Sequence, residues 1–110
     1  MIKTKTIEIY VTENGRAPFL EWLRSLQDES TRGRIRNRIK RLTDGGIGDW
    51  SSVGEGVFEL RLFFGSGYRI YFAEYGGFIV LLLCGGDKKT QSRDIQKAKD
   101  YWKEFKEIKK

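Results

Sequence analysis

The chain of 110 residues fits one compact domain, and we expect a single domain over residues 1–110. It has no histidine and one cysteine, Cys84, which excludes an intramolecular disulfide, a histidine-assisted nucleophile and a histidine metal site. Its net charge of +6 favours an acidic or nucleic acid partner. The longest apolar run, residues 78–84, is too short to span a bilayer, and the N-terminus lacks the apolar stretch of a signal peptide, so we expect a cytoplasmic protein.

The first half of the chain predicts one strand and two helices. Thr6–Val11 alternates apolar and polar side chains, which is typical of a strand. Pro18 suits the first turn of a helix, whose buried face repeats at intervals of three and four residues: Phe19, Trp22, Leu23 and Leu26. A second helix begins with a cap at Asp28 or Ser30 and ends at a group of glycines. Its apolar stripe is Ile35, Ile39 and Leu42, and the glycines are Gly45, Gly46 and Gly48.

The excess positive charge lies in the second predicted helix. Six basic side chains occur between residues 32 and 41 with no acid among them: Arg32, Arg34, Arg36, Arg38, Lys40 and Arg41. On a helical wheel these side chains flank the apolar stripe on both sides. Such a basic stripe is typical of a surface that binds a polyanion or an acidic protein. The alternative is a solvated basic helix that contributes only to solubility.

The second half predicts three antiparallel strands and a helix. A loop holding Trp50 and Val53 runs to about Gly56, and strands follow at Val57–Phe64, from Tyr68, and at Phe78–Cys84. Tight turns at residues 65–67 and 76–77 join them, and residues 85–89 form a flexible exit. The last helix buries Ala98, Tyr101, Trp102, Phe105 and Ile108. We therefore expect an α+β protein with a mostly antiparallel four-stranded sheet, in the order β-α-α-β-β-β-α.

These turns predict a cluster of polar side chains on one face of the sheet. A three-residue turn sets Arg61 opposite Tyr71, and a two-residue turn sets Arg69 opposite Cys84. Arg61, Arg69 and Tyr71 then share a face, and the loop with Lys88 and Lys89 begins beside Arg69. Arginines and lysines in this arrangement stabilise the charge of a phosphodiester transition state, with proton transfer by Lys88, Lys89, Tyr71, Asp87 or Glu59. No metal or cofactor is needed. The alternative is that both arginines are ordinary strand residues paired with Glu59 or Glu74.

Several segments resemble the RelE/HigB-like toxins of type II toxin–antitoxin modules, and most closely the addiction module killer proteins. The shared motifs are residues 19–23, the basic helix at 32–42, and residues 46–49, 54–61 and 67–72. The most specific motif is Leu-Leu-Leu-Cys-Gly-Gly-Asp-Lys-Lys-Thr-Gln at residues 81–91, followed by Asp94-Ile95 and Ala98-Lys99.

This resemblance implies a RelE-like fold and an endonuclease that cuts mRNA in the ribosomal A site, held inactive by an antitoxin with a helix-turn-helix domain. It implies that Arg69 contacts the scissile phosphate, and that Arg61 and Lys88 or Lys89 lie near other basic residues of the site. The basic helix would bind ribosomal RNA. This chain lacks the tyrosine or histidine that several members carry near residues 91–95. The alternatives are a regulator that binds RNA or DNA without cutting it, and a gyrase-inhibiting toxin.

Overall fold

The computed structural model of the protein describes residues 5–43 and 50–109. The elements in chain order are β1 (Thr6–Ile9), α1 (Pro18–Ser25), α2 (Glu29–Thr43), β2 (Trp50–Gly54), β3 (Val57–Arg61), β4 (Arg69–Tyr75), β5 (Ile79–Gly86), a short 3-10 turn (Lys88–Thr90) and α3 (Gln91–Ile108). The predicted α+β class is confirmed, with the helices in the expected places. The glycines predicted to end α2, and the motif at 46–49, lie outside the described residues. None of the described helices is both long and apolar enough to cross a membrane.

The sheet has five strands, so the prediction of four strands is wrong. Its strand order is β1-β5-β4-β3-β2, with β1 parallel to β5 and all other neighbours antiparallel. The additional strand, β2, occupies the segment predicted as a loop. Its first three residues are exposed and two of them are serines, so it lacks the apolar alternation from which a strand is predicted. It is held by its pairing with β3 across a tight turn in which Gly54 and Gly56 have positive φ.

Each face of the sheet is covered by helices. Phe19 and Leu23 of α1 and the predicted stripe of α2, Ile35, Ile39 and Leu42, pack on one face. Ala98 and Trp102 of α3 pack on the other face, against Tyr71, Leu81 and neighbouring strand residues. Burial of these apolar surfaces is the main favourable contribution to folding. The prediction that Ile108 joins the buried stripe of α3 is wrong, since this last residue of the helix is exposed.

The strand pairing differs from the prediction in both hairpins. Arg61 lies opposite Arg69, and Leu62 donates its amide hydrogen to the Tyr68 carbonyl at 2.9 Å, so five residues, 63–67, form the first turn. Tyr71, and not Arg69, lies opposite Cys84. A bulge in β5 between the partners of Tyr71 and Phe72 accounts for part of this shift, because an extra residue at Leu83 has no partner of its own. The shift of the first hairpin is two residues, and therefore the predicted face of each side chain is preserved.

Residues 85–89 are ordered, contrary to the prediction of a flexible exit. Gly85 and Gly86 complete β5, and α1 and α3 approach these two glycines closely. A Cβ atom on Gly85 would lie 2.2 Å from the Trp22 ring, and one on Gly86 would lie 1.8 Å from the carboxylate of Asp94. Asp87 then caps the 3-10 turn by accepting hydrogen bonds from the amides of Lys89 and Thr90. The two glycines therefore permit close packing at the point where the chain leaves the sheet.

Candidate functional site

Arg61 and Arg69 are directly opposite each other, at the end of β3 and the start of β4. Both lie on the face of the sheet that α3 covers, because they alternate with Leu60 and Ile70, which face the other helices. The side chain of Arg61 is 50% exposed, whereas that of Arg69 is only 11% exposed. The structure therefore brings the two arginines together as the sequence predicts, one of them open to solvent and the other mostly enclosed.

A buried carboxylate, Glu59, holds this cluster together. Its side chain is 1% exposed and accepts hydrogen bonds from Arg61 Nε at 3.0 Å, from the Tyr71 hydroxyl at 3.0 Å and from Gln91 Nε2 at 2.9 Å. Arg69 Nε lies 3.6 Å from Glu59 Oε2, an ionic contact that is too long for a hydrogen bond. Two strands and the first residue of α3 thus converge on one negative charge.

Glu59 is ionised in this environment. Burial acts to raise its pKa, but the hydrogen bonds from Gln91, Arg61 and Tyr71, together with the charge of Arg61, outweigh burial and lower the pKa below its ordinary value. The carboxylate therefore accepts a hydrogen bond that orients Arg61, and it attracts Arg69 by charge. Arg69 Nη1 donates a hydrogen bond to the Gly67 carbonyl at 3.2 Å. The alternative prediction, that the arginines pair with Glu59 or Glu74, is confirmed for Glu59. Glu74 is paired with Lys5 instead.

Tyr71 lies on the predicted face but is fully buried beneath α3. Its hydroxyl donates to Glu59, and burial, followed by the charge of Glu59, raises its pKa far above the ordinary value. The prediction that Tyr71 shares a face with the two arginines is confirmed, but the ring fills the space between the sheet and α3 and does not line the cleft described below. The docking of α3 encloses the ring, and strand alternation alone gives no sign of that docking.

Lys88 and Lys89 have different surroundings. Both are exposed and belong to the 3-10 turn that Asp87 caps. A Cβ atom on Gly67 would lie 3.5 Å from Lys88 Cβ and 3.8 Å from Arg69 Nη1, so Lys88 lies against the β3–β4 turn beside Arg69. Lys89 does not line the cleft described next. The structure thus places Lys88, but not Lys89, with the two arginines.

A cleft of about 350 Å³ opens at this end of the sheet. Its cationic lining is Arg61, Arg69 and Lys88, and its aromatic lining is Phe63, Phe64 and Tyr68. Cations that donate hydrogen bonds beside aromatic rings provide what a nucleotide requires, since phosphates accept from arginine and lysine and bases stack on rings. Within residues 5–43 and 50–109, no group of three acidic or cysteine side chains is placed to hold a metal ion.

The basic stripe of α2 approaches this cleft only near its start. The Arg34 guanidinium lies over the Phe64 ring, 3.9 Å from its centre, whereas Thr43 at the end of α2 accepts a hydrogen bond from Lys5 at the other end of the sheet. Arg32 and Arg36 contact Glu29 in the first turn of the helix. Four of the six side chains are exposed and two are half-buried; the exposed ones are Arg34, Arg36, Lys40 and Arg41, and the others are Arg32 and Arg38.

The sequence pattern indicates no structural role for Gln91 and does not distinguish Phe63 from its neighbours. Gln91 lies in the segment that lacks a tyrosine or histidine, yet it donates a hydrogen bond to the buried carboxylate. Phe63 belongs to a predicted strand, yet it lies in the turn and is the most exposed large apolar side chain among the described residues. In a strand, the Glu-Leu-Arg sequence at 59–61 places Glu59 and Arg61 on one face, and this spacing indicates that the two side chains can be in contact.

Comparison with known proteins identifies the family to which this chain belongs. Residues 21–103 match the family model described as "Phage derived protein Gp49-like (DUF891)". A protein of Haemophilus influenzae, described as an "Uncharacterized protein", is 47% identical over 94 residues, which cover 86% of this chain and 91% of that protein. The chain belongs to the Gp49-like family.

The Gp49-like family is a toxin-like family related to the RelE/HigB toxin superfamily. Membership indicates a toxin of the toxin–antitoxin type, which has an antitoxin as its partner. The resemblance to RelE/HigB-like toxins is thus supported at the level of the superfamily. Assignment to the addiction module killer proteins stays a prediction.

Proposed function

We propose that this protein is a toxin that stops translation by cutting mRNA on the ribosome, as a metal-independent endoribonuclease. The observation that supports this proposal most strongly is the convergence of Arg61, Arg69 and Lys88 on one cleft, where Arg61 is hydrogen-bonded to the buried Glu59 and Arg69 to the Gly67 carbonyl. An oriented guanidinium stabilises developing charge better than a mobile one, because little reorganisation is needed when the charge appears.

The reaction is an attack of the ribose 2′-oxygen on the adjacent phosphorus atom. A P–O2′ bond forms, the P–O5′ bond breaks, and the products are a 2′,3′-cyclic phosphate and a 5′-hydroxyl. Arg61 and Arg69 stabilise the pentavalent phosphorane. The 2′ proton passes to solvent water, and the ammonium group of Lys88 donates a proton to the departing 5′-oxygen. Lys88 takes this role because Glu59 and Tyr71 are buried in mutual contact and Asp87 caps its turn.

The ribosome supplies the positioning that so small a site lacks. The exposed cations of α2, Arg34, Arg36, Lys40 and Arg41, bind phosphates of ribosomal RNA. The substrate strand enters the cleft beside the β3–β4 turn, whose Phe64 ring contacts Arg34. The antitoxin, with a helix-turn-helix domain of its own, inactivates the toxin by covering this surface.

Purified protein added to a reconstituted translation system, with and without ribosomes, tests the proposal when 5′ ends of the mRNA are mapped by primer extension. We expect codon-phased cuts that require ribosomes, are lost in Arg69→Ala and are weakened in Lys88→Ala. Lys103→Ala is the matched control, since Lys103 is an exposed lysine far along α3. Binding to ribosomes without cuts would instead identify a non-catalytic regulator, and intact translation with blocked DNA supercoiling would identify a gyrase inhibitor.

A further inference from the structure

Phe63 stands out among the apolar side chains because it is 75% exposed at the edge of the basic cleft. Within the described residues it has neither a ring partner nor a cation over its ring, in contrast to its neighbour Phe64. An exposed phenylalanine gains nothing for folding, since its apolar surface remains in water. Its ring is therefore accessible to a ligand that enters the cleft.

The turn that carries Phe63 is closely packed. Gly65 and Gly67 both have positive φ, and a Cβ atom on Gly65 would lie 2.4 Å from the Tyr68 ring. Phe64 packs against Tyr68, with ring centres 5.8 Å apart, and the Arg34 guanidinium lies over the Phe64 ring. Phe64 thus anchors the turn, and the preceding residue is left at the surface with its ring available to a ligand.

The charges around Phe63 favour a nucleotide over an apolar partner. The basic side chains that line the same cleft are Arg61, Arg69 and Lys88, and no acidic side chain among the described residues lines it. The nearest acid of this network, Glu59, is 1% exposed and already accepts three hydrogen bonds. A flat ring beside several phosphate-binding cations is the combination by which single-stranded nucleic acids are bound without regard to sequence.

We infer that Phe63 is the stacking platform for the base next to the scissile phosphate, and that the cleft takes single-stranded RNA in an unstacked conformation. The inference rests on the proposed function and adds to it the part of the substrate that the ring recognises. Phe63 acts as a positioning residue: the stacked base sets the adjacent phosphate against Arg61 and Arg69. An apolar segment of the antitoxin is the competing occupant of the ring.

Binding is measured separately from cleavage, so that failure of one proposal can be told from failure of the other. The probe is an mRNA with 2-aminopurine in the ribosomal A site and 2′-O-methyl groups that prevent cutting; the same oligonucleotide without ribosomes is a second probe. Stacking quenches the 2-aminopurine fluorescence. The variants are Phe63→Ala, Phe63→Leu and Phe63→Trp. Leucine retains the apolar surface without a ring, and tryptophan retains the ring.

We expect wild type and Phe63→Trp to quench the fluorescence, and Phe63→Ala and Phe63→Leu to lose both the quenching and about tenfold or more in affinity. An abasic nucleotide at the same position should weaken wild-type binding equally and leave Phe63→Ala unaffected. Equal affinity and quenching in all four proteins, or no wild-type binding to either probe, would overturn the inference. A Phe63→Ala protein that loses affinity for the antitoxin but not for RNA would also overturn the inference. Binding with quenching but no cuts in unmodified mRNA would overturn the nuclease proposal alone.

Discussion

The protein has two cationic regions, the stripe on α2 and the cleft at the end of β3 and β4, and they differ in how firmly their charges are held. Four of the six cations of the stripe are exposed, and two of the six contact an exposed acid, Glu29, in the first turn of the helix. In the cleft, Arg61 and the mostly buried Arg69 both contact a carboxylate that is 1% exposed. The stripe suits long-range attraction of a polyanion, and the cleft suits fixed contacts with one phosphate.

The difference follows from the dielectric surroundings. Exposed charges are screened by water and salt, and their side chains remain mobile, so they attract a partner without defining its position. Enclosed charges interact strongly and must be matched, which fixes their geometry. Substitutions in the two regions should therefore have different consequences: in the cleft they change the chemical step and the stability, and on α2 they change affinity and its dependence on salt.

Arg69→Ala should have the largest effect. Loss of an oriented donor to the developing charge should slow cleavage by about 100-fold or more. Single-turnover cleavage on programmed ribosomes measures this rate, and circular dichroism verifies that the variant is folded. Arg69→Lys should recover only part of the rate, since lysine lacks the planar fork of arginine. Unchanged cleavage by a folded Arg69→Ala protein would remove this residue from the site.

Glu59→Gln should have the next largest effect, and chiefly on stability. The substitution leaves Arg69 enclosed without a negative partner, and removing one member of a buried ion pair costs about 3 kcal/mol. The measurement is the free energy of unfolding in urea. Glu55→Gln is the matched control, because Glu55 is an exposed acid paired with Lys99. Equal destabilisation by both variants would mean that burial of Glu59 has no special role.

Substitution of the α2 cations should have a smaller effect. Arg36→Gln and Lys40→Gln should each weaken ribosome binding several-fold at low salt and reduce the slope of log affinity against log salt by about one, the expected change for one phosphate contact. The rate of cleavage once bound should not change. A salt dependence identical to that of wild type would assign the stripe to solubility only.

The smallest effect concerns pH. Because the pKa of folded Glu59 lies below its ordinary value of 4.5, its ionised form stabilises the fold above that value. This contribution is lost as the pH falls through the folded pKa. The difference in urea midpoint between wild type and Glu59→Gln should therefore shrink as the solution is acidified below about pH 4.5. A difference that is independent of pH would show that the carboxylate acts through shape and not through charge.

Features encoded by local spacing could be predicted from the sequence. The helical stripes of α1 and α2, and the shared face of Arg61 and Arg69, follow from periods of 3.6 and 2. A shift of two residues in strand pairing leaves each side chain on the same face of the sheet, so the shared face of Arg61 and Arg69 was predicted correctly despite the wrong register.

The remaining features depend on tertiary contacts. β2 forms because β3 offers it hydrogen bonds, although its first three residues are exposed and two of them are serines. The bulge at Leu83 and the five-residue turn are set by packing across the sheet, and the burial of Tyr71 is set by α3. Whether a side chain on the correct face is open or enclosed could not be derived from alternation alone.

The parallel pairing of β1 with β5 has a consequence for how the protein is made. Thr6–Ile9, near the start of the chain, pairs with Ile79–Leu82, and the cleft also needs Lys88 and Gln91 from later still. During synthesis on a ribosome, β1 cannot pair until β5 has been synthesised, because contacts of long sequence separation form late. A nascent chain therefore lacks the assembled cleft until residues of β5 and the start of α3 have been synthesised.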